Sequence, residues 1–190
     1  MDYDWEQRVN TTAGTLDWRT RLLGVFHSPY QPTDPAVFRE MMAALAIDCR
    51  QFTFIDIGSG KGRTLLMAAE YPFKKIVGVE VMANLHGAAV ENIAAWRSQS
   101  PARSMAPVEA VCVDARAFVF PEAPMVVYLF NPLPESGLRQ VIQRIEESWR
   151  RSHRAIWVVY HNPLLEDILT SSAILIKVRG EPQFSLFTTK

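Results

Sequence analysis

Phe54-Ile55-Asp56-Ile57-Gly58-Ser59-Gly60-Lys61-Gly62-Arg63-Thr64-Leu65-Leu66-Met67-Ala68-Ala69 is the stretch on which the rest of the chain turns. An apolar run stops at Asp56, glycines follow at 58, 60 and 62, and a helical pattern opens with Thr64, Leu65, Leu66 and Met67. Such a passage reads as buried strand, glycine loop and helix start. Glycine there permits positive φ and lets a ligand approach the backbone without a Cβ in the way. The unpaired amides that open the helix carry partial positive charge. A nucleotide-like ligand is the first expectation.

Spacing then narrows the ligand. A phosphate-cradling P-loop needs glycine five positions before a Gly-Lys-Ser/Thr, but Ile55 stands there and Gly62 follows Lys61. The dinucleotide fingerprint needs a third glycine at 63, where the chain has Arg63. What remains is Asp-x-Gly-x-Gly-x-Gly, which resembles the first motif of class I S-adenosylmethionine-dependent methyltransferases. In that family the loop faces the methionine end of the cofactor.

The totals bound the rest. A chain of 190 residues suits one domain with a full core, and 48% apolar with 21% charged residues is ordinary for a globular protein. Lys+Arg and Asp+Glu both number 20, so no global basic field points to nucleic acid, although a local patch is compatible with that balance. Cys49 and Cys112 lie beside apolar segments without metal spacing and read as buried free thiols in a reducing compartment. His27, His86 and His153 are scattered singly, so no metal site is expected. The opening Met1-Asp2-Tyr3-Asp4-Trp5-Glu6 is acidic and lacks an apolar core, so no signal peptide is expected. No apolar run reaches the roughly 18 residues of a membrane helix, and a cytoplasmic protein with no membrane partner is the expectation.

Along the chain, Trp5, Leu16, Trp18, Leu22 and Phe26 can line one side of short helices, a cap and loop over residues 1–33 ahead of a core at 34–190. In His27-Ser28-Pro29-Tyr30-Gln31-Pro32-Thr33-Asp34-Pro35, Thr33 or Asp34 can cap the next helix, with Pro35 in its first turn. Strands are predicted at 75–80, 108–113, 125–130 and 155–160, and helices at 63–70, 83–97 and 135–151. Leu138, Val141, Ile142, Ile145 and Trp149 form the apolar stripe of the last helix. Residues 98–107 read as a loop, and 173–187 as a closing hairpin. Strands alternating with helices imply a parallel sheet covered on both faces. With that hairpin, the pattern resembles the methyltransferase fold, a three-layer Rossmann-like α/β sandwich whose seven-stranded, mostly parallel sheet ends in an antiparallel hairpin.

Ligands bind such sheets beyond the carboxyl ends of the strands. Asp56, Glu80, Asp114 and Asn131 each end one of four successive strands. Glu80, 20 residues after Gly60, suits both ribose hydroxyls. An acidic residue favoured only by a helix dipole gains ~0.3–1 kcal/mol, a weaker reason to place it there. The resemblance implies S-adenosylmethionine as cofactor, with Gly58, Ser59 and Gly60 in its loop, Asp114 near the adenine amino group and Asp56 near the methionine amino group. Tyr30 and Thr33 belong to a Tyr-x-Pro-Thr segment that resembles one closing over the cofactor in some class I protein-lysine methyltransferases.

Phe130-Asn131-Pro132-Leu133-Pro134 occupies the place of the family's Asn/Asp-Pro-Pro-Tyr motif but departs from its last two residues, which puts a planar amino-base or amide acceptor in doubt. Phe130 then reads as a wall of the methyl-transfer site and Asn131 as an orienting group for substrate or cofactor; an Asn-Pro turn opening the next helix is the plainer reading. Tyr160-His161-Asn162-Pro163 repeats the pattern after the fifth strand, and His161 has the residue type of a base. The basic run Arg150-Arg151-Ser152-His153-Arg154 reads as a solvated helix end. The expectation is a small stand-alone methyltransferase of bacterial type with an unidentified acceptor, a protein side chain slightly preferred. The alternatives are a non-catalytic module that binds S-adenosylmethionine and an NAD-type oxidoreductase on a related fold.

Overall fold

The computed structural model describes residues 3–12, 32–99 and 106–190; Tyr30, His27, Leu16, Trp18, Leu22 and Phe26 lie outside the described residues. Seven strands form one sheet: β1 (Thr53–Ile57), β2 (Lys75–Glu80), β3 (Val108–Cys112), β4 (Met125–Leu129), β5 (Ile156–His161), β6 (Leu175–Gly180) and β7 (Phe184–Thr189). Their order across the sheet is β3-β2-β1-β4-β5-β7-β6. The first five pair in parallel, and β7 runs antiparallel to both β5 and β6. The order reverses between β1 and β4, so the switch point that receives ligands in open sheets lies above Asp56 and Phe130.

Why these strands are central follows from their burial. Every residue of β1 and β4 is buried, as parallel strands covered on both faces require. On one face Phe54, Ile76, Val126, Tyr128 and Val159 pack against α2 (Pro35–Leu45), α3 (Arg63–Ala68) and α4 (Ala83–Ser98). On the other, Ile55, Ile57, Val127, Leu129 and Val158 meet α5 (Glu135–Arg151) and α6 (Glu166–Thr170). Asp34, not Thr33, caps α2: its carboxylate accepts from the amides of Ala36 and Val37, and Pro35 opens the helix.

Three expectations change. Cys112 is exposed, because β3 is the edge strand and leaves alternate positions open, and Cys49 is half-buried in a 3-10 turn before β1. Trp5 is 82% exposed; in the short helix α1 (Tyr3–Gln7) the inward residue is Tyr3, which lies beneath the Arg63 guanidinium. The fifth strand starts at Ile156 and carries His161 as its last residue. Among the described residues no helix is long and apolar enough to cross a membrane, and no group of three or more His, Cys, Asp or Glu side chains is placed to hold a metal.

Candidate active site

Gly58, Gly60 and Gly62 all adopt positive φ, at 77°, 52° and 83°, a conformation that costs a side-chain-bearing residue ~1–2 kcal/mol. Gly58 and Ser59 donate their amides to the Val79 carbonyl at 2.8 and 3.1 Å, which folds the loop back over the end of β2. A Cβ on Gly58 would stand 2.6 Å from Pro132 Cβ. The glycine therefore admits the turn after β4 to the floor of the loop.

Glu80 organises this floor. One carboxylate oxygen accepts from the Gly60 amide at 2.9 Å and the other from the Met82 amide at 2.8 Å. The Val81 amide also stabilises the charge, and the carboxylate still has acceptor capacity left for a ligand. Asp56 lies on the same face of the sheet, since Gly78 pairs with Asp56 and Glu80 follows two residues later. Burial pushes the Asp56 carboxyl up to about 8, the nearby Glu80 charge adds to this, and a hydrogen bond with Thr64 opposes it. Burial raises Glu80 as well, against the amides that stabilise its charge. Ser59 Oγ is buried with no hydrogen-bond partner among the described residues. Two buried acids side by side with an orphaned hydroxyl make a site short of positive charge and of hydrogen-bonding partners.

Beside it runs a second group of polar side chains. Tyr128, paired with Asp56 across the sheet, has its hydroxyl 2.7 Å from Thr33 Oγ1 and 2.8 Å from His161 Nδ1. The His161 ring stacks on Phe130 with centroids 3.9 Å apart. Burial lowers His161 to about 4, with Asp34 opposing weakly, so the imidazole is neutral at pH 7. A conjugate acid that strong exerts little pull on a proton, which counts against the base role its residue type suggests and favours an orienting one.

The two Asn-Pro turns are joined. Asn131 and Asn162 both take positive φ, 44° and 48°. Asn131 Nδ2 donates to the Asn162 carbonyl at 2.8 Å, Tyr160 donates its hydroxyl to Asn131 Oδ1 at 2.9 Å, and the Leu165 amide donates to Tyr160 at 3.2 Å. The Asn131 carboxamide thus staples the rims of β4 and β5 together.

The structure gathers Asp56, Gly58, Ser59, Gly60 and Glu80 into one cluster, and Thr33, Phe130 and His161 into its neighbour through Tyr128. Asp114 stands further out, after β3. Its carboxylate accepts from the Arg116 guanidinium and amide, and the guanidinium bonds hold it below the usual carboxylate range. Tyr128 was not a sequence candidate; its one signal is a phenol inside an otherwise aliphatic strand.

A family model described as "Putative methyltransferase" matches residues 50–167, and the chain belongs to this methyltransferase family. None of the curated proteins matches it. Among solved structures it is similar to an RNA methyltransferase from Salinibacter ruber in complex with S-adenosyl-L-homocysteine: 20% identity, 84% of this chain and 92% of that one, TM-score 0.53. It is also similar to a ribosomal protein L11 methylase from Lactobacillus delbrueckii subsp. bulgaricus, with 17% identity over 88% of this chain and 82% of that one, TM-score 0.55. A third is a precorrin-6y C5,15-methyltransferase from Geobacter metallireducens GS-15, with 14% identity over 87% and 93%, TM-score 0.58. At these identities the likeness establishes the fold alone.

The protein is an S-adenosylmethionine-dependent methyltransferase. The site's chemistry fits that cofactor, a sulfonium with an ammonium group, better than it fits a phosphate-bearing one. Glu80 would hold the ribose hydroxyls with its free lone pairs, Asp56 the ammonium, and the Gly58–Gly60 backbone with Ser59 the methionine end. When bound, the cofactor supplies an electrophilic methyl group. Phe130 and His161, stacked on one another, would wall the adjoining space, with the joined turns beside them.

Proposed function

We propose that the methyl acceptor is a protein side chain that enters over the Phe130–His161 wall. The observation that carries this reading is the state of Asn131. A planar amino base would be read by a carboxamide or carboxylate free to turn its edge to the site, but the bonds from Tyr160 to the Asn131 oxygen and from its amide to the Asn162 carbonyl fix the plane of this side chain between the two turns. Zero formal net charge supports the same reading, because nucleic-acid affinity rests largely on phosphate neutralisation by Lys and Arg. A side chain needs neither device, and the neutral imidazole of His161 suits an acceptor that arrives uncharged. Alignment of nucleophile and methyl group can then supply much of the rate, up to ~7–11 kcal/mol for ideal positioning.

Transfer of labelled methyl groups from S-adenosylmethionine into a bacterial lysate tests the reading. Label in a protease-sensitive, nuclease-resistant fraction supports it. Label in RNA, DNA or small molecules overturns it. Phe130→Ala should abolish the labelling while retaining cofactor binding.

A further inference from the structure

Arg63 stands where a dinucleotide loop carries its third glycine, and the methyl-donor site described above makes no use of it. The side chain is buried at the first position of α3. It donates from Nε to Thr11 Oγ1 at 2.7 Å, from one terminal nitrogen to Asp4 Oδ1 at 3.0 Å, and from the same nitrogen to Thr12 Oγ1. Its guanidinium carbon lies 5.1 Å from the centroid of the Tyr3 ring, within cation–π range. Asp4 in turn accepts from the Thr11 and Thr12 amides and from the Thr11 hydroxyl. Burial by itself would raise the Asp4 carboxyl, but the bonds from Thr11, Thr12 and Arg63 together hold it below its usual range.

Asn92 makes the second connection. It donates to the Lys61 carbonyl at 3.0 Å and to the Asn10 carbonyl at 3.1 Å, and accepts from the Asn10 amide at 2.8 Å. Lys61 Nζ donates to the Thr12 carbonyl at 3.3 Å. Residues 61 and 63, on either side of Gly62, are therefore both tied to the segment Tyr3–Thr12. This matters because a loop with three glycines in the left-handed region has much freedom to lose. Glu80 fixes the loop at Gly60 and Pro132 bounds it at Gly58; its far half is fixed by the N-terminal segment.

We propose that Arg63 and Asn92 are positioning residues that clasp Tyr3–Thr12 to the glycine loop, so that cofactor binding and docking of this segment reinforce one another. With the segment released, the loop samples other conformers and the apparent affinity falls with the competent fraction. Reciprocity requires the cofactor to tighten the segment by the same factor. The Arg63–Asp4 pair carries this coupling because its two side chains are only 9% and 13% exposed. At that burial, removing one partner strands the other, unlike a surface pair.

The test uses the full chain with S-adenosyl-L-homocysteine as probe. Calorimetry on Asp4→Asn and Arg63→Lys, each checked for folding by circular dichroism, should give dissociation constants raised at least about fivefold, the lower end of the usual span of site-to-site coupling. In the unaltered chain, saturating S-adenosyl-L-homocysteine should slow hydrogen exchange at the Thr11 and Thr12 amides by a similar factor. A clasp that only stabilised the fold would lower the melting temperature of the variants and leave that exchange unmoved. Folded variants that bind within twofold of the unaltered chain, or exchange at Thr11 and Thr12 that ignores the ligand, overturn the proposal. Should a variant fail to fold, the exchange measurement decides alone.

Discussion

Asp56→Asn offers a quantitative probe of the site's electrostatics. Asp56 titrates near 8 in the folded chain, against about 3.8 for an ordinary carboxyl. Between those values the folded state binds a proton that the unfolded state has released, so stability falls as pH rises. His161 acts in the opposite sense: with a folded value of about 4 against 6.5, the unfolded state binds the extra proton, and stability rises from pH 4 to 6.5. At about 1.4 kcal/mol per pH unit, the two slopes nearly cancel below pH 6.5. Above it only Asp56 acts, and the chain should lose roughly 2 kcal/mol between pH 6.5 and 8.8. Glu80, also raised by burial, adds to the fall in the same sense. Asp56→Asn keeps the side chain's shape and removes its titration. Its stability should rise from pH 4.5 to 6.5 by up to about 2 kcal/mol, the His161 contribution less whatever Glu80 takes away, and should no longer show the Asp56 fall above pH 6.5. Urea unfolding followed by circular dichroism at five pH values measures both curves. Parallel curves for the two proteins between pH 6.5 and 8.8 would refute the claim that Asp56 is neutral in the fold.

Glu80→Gln should raise the dissociation constant of S-adenosyl-L-homocysteine at least tenfold by calorimetry. The amide can accept from only one of the Gly60 and Met82 amides and sets its own donor against the other. Gly58→Ala should destabilise the fold by about 2–4 kcal/mol, from left-handed backbone and overpacking together, since its Cβ would meet Pro132 Cβ at 2.6 Å; urea titration gives the value. Tyr160→Phe removes the donor to Asn131 and the acceptor for the Leu165 amide. A loss of about 1–3 kcal/mol is expected, with a higher acceptor KM and an unchanged cofactor KM in steady-state assays.

How much of this was legible in the sequence depended on the range of the interaction. Local patterns located the strands and helices to within a residue or two, because five-residue apolar runs and the α5 stripe are set by burial over a few neighbours. The spacing of 20 singled out Glu80 as a ribose carboxylate, but its bond to the Gly60 amide was not legible there and comes from the fold. Contacts between distant segments were not legible either. Thr33 meets Tyr128 across 95 positions, and nothing near Thr33 signals that partner; the sequence offered a helix cap or a segment closing over the cofactor. Arg63 reads as a missing glycine until Asp4 and Thr11, more than 50 residues away, are brought against it. Trp5 reads as a core residue of its helix, but Tyr3 is the aromatic that turns inward, under the Arg63 guanidinium.

The geometry also explains why the donor can be read from this chain more readily than the acceptor. Strand parity puts Gly78, Asp56, Tyr128 and Val159 in one row across the sheet. Moving two residues towards the carboxyl ends puts Glu80, Gly58, Phe130 and His161 in the next. Backbone and acids on the β2–β1 side of these rows would meet groups that every S-adenosylmethionine molecule shares, so a short spacing pattern is enough to announce them. The β4–β5 side offers an aromatic ring, a neutral imidazole and two turns locked by Asn131. None of these has a charge or an open hydrogen-bonding pattern that fixes one acceptor, and their arrangement arises from contacts about 30 residues apart. On the reading proposed above, acceptor choice is a matter of shape and access at that wall. Changes to Phe130 or Tyr160 should alter which molecule is methylated before they alter whether the cofactor binds.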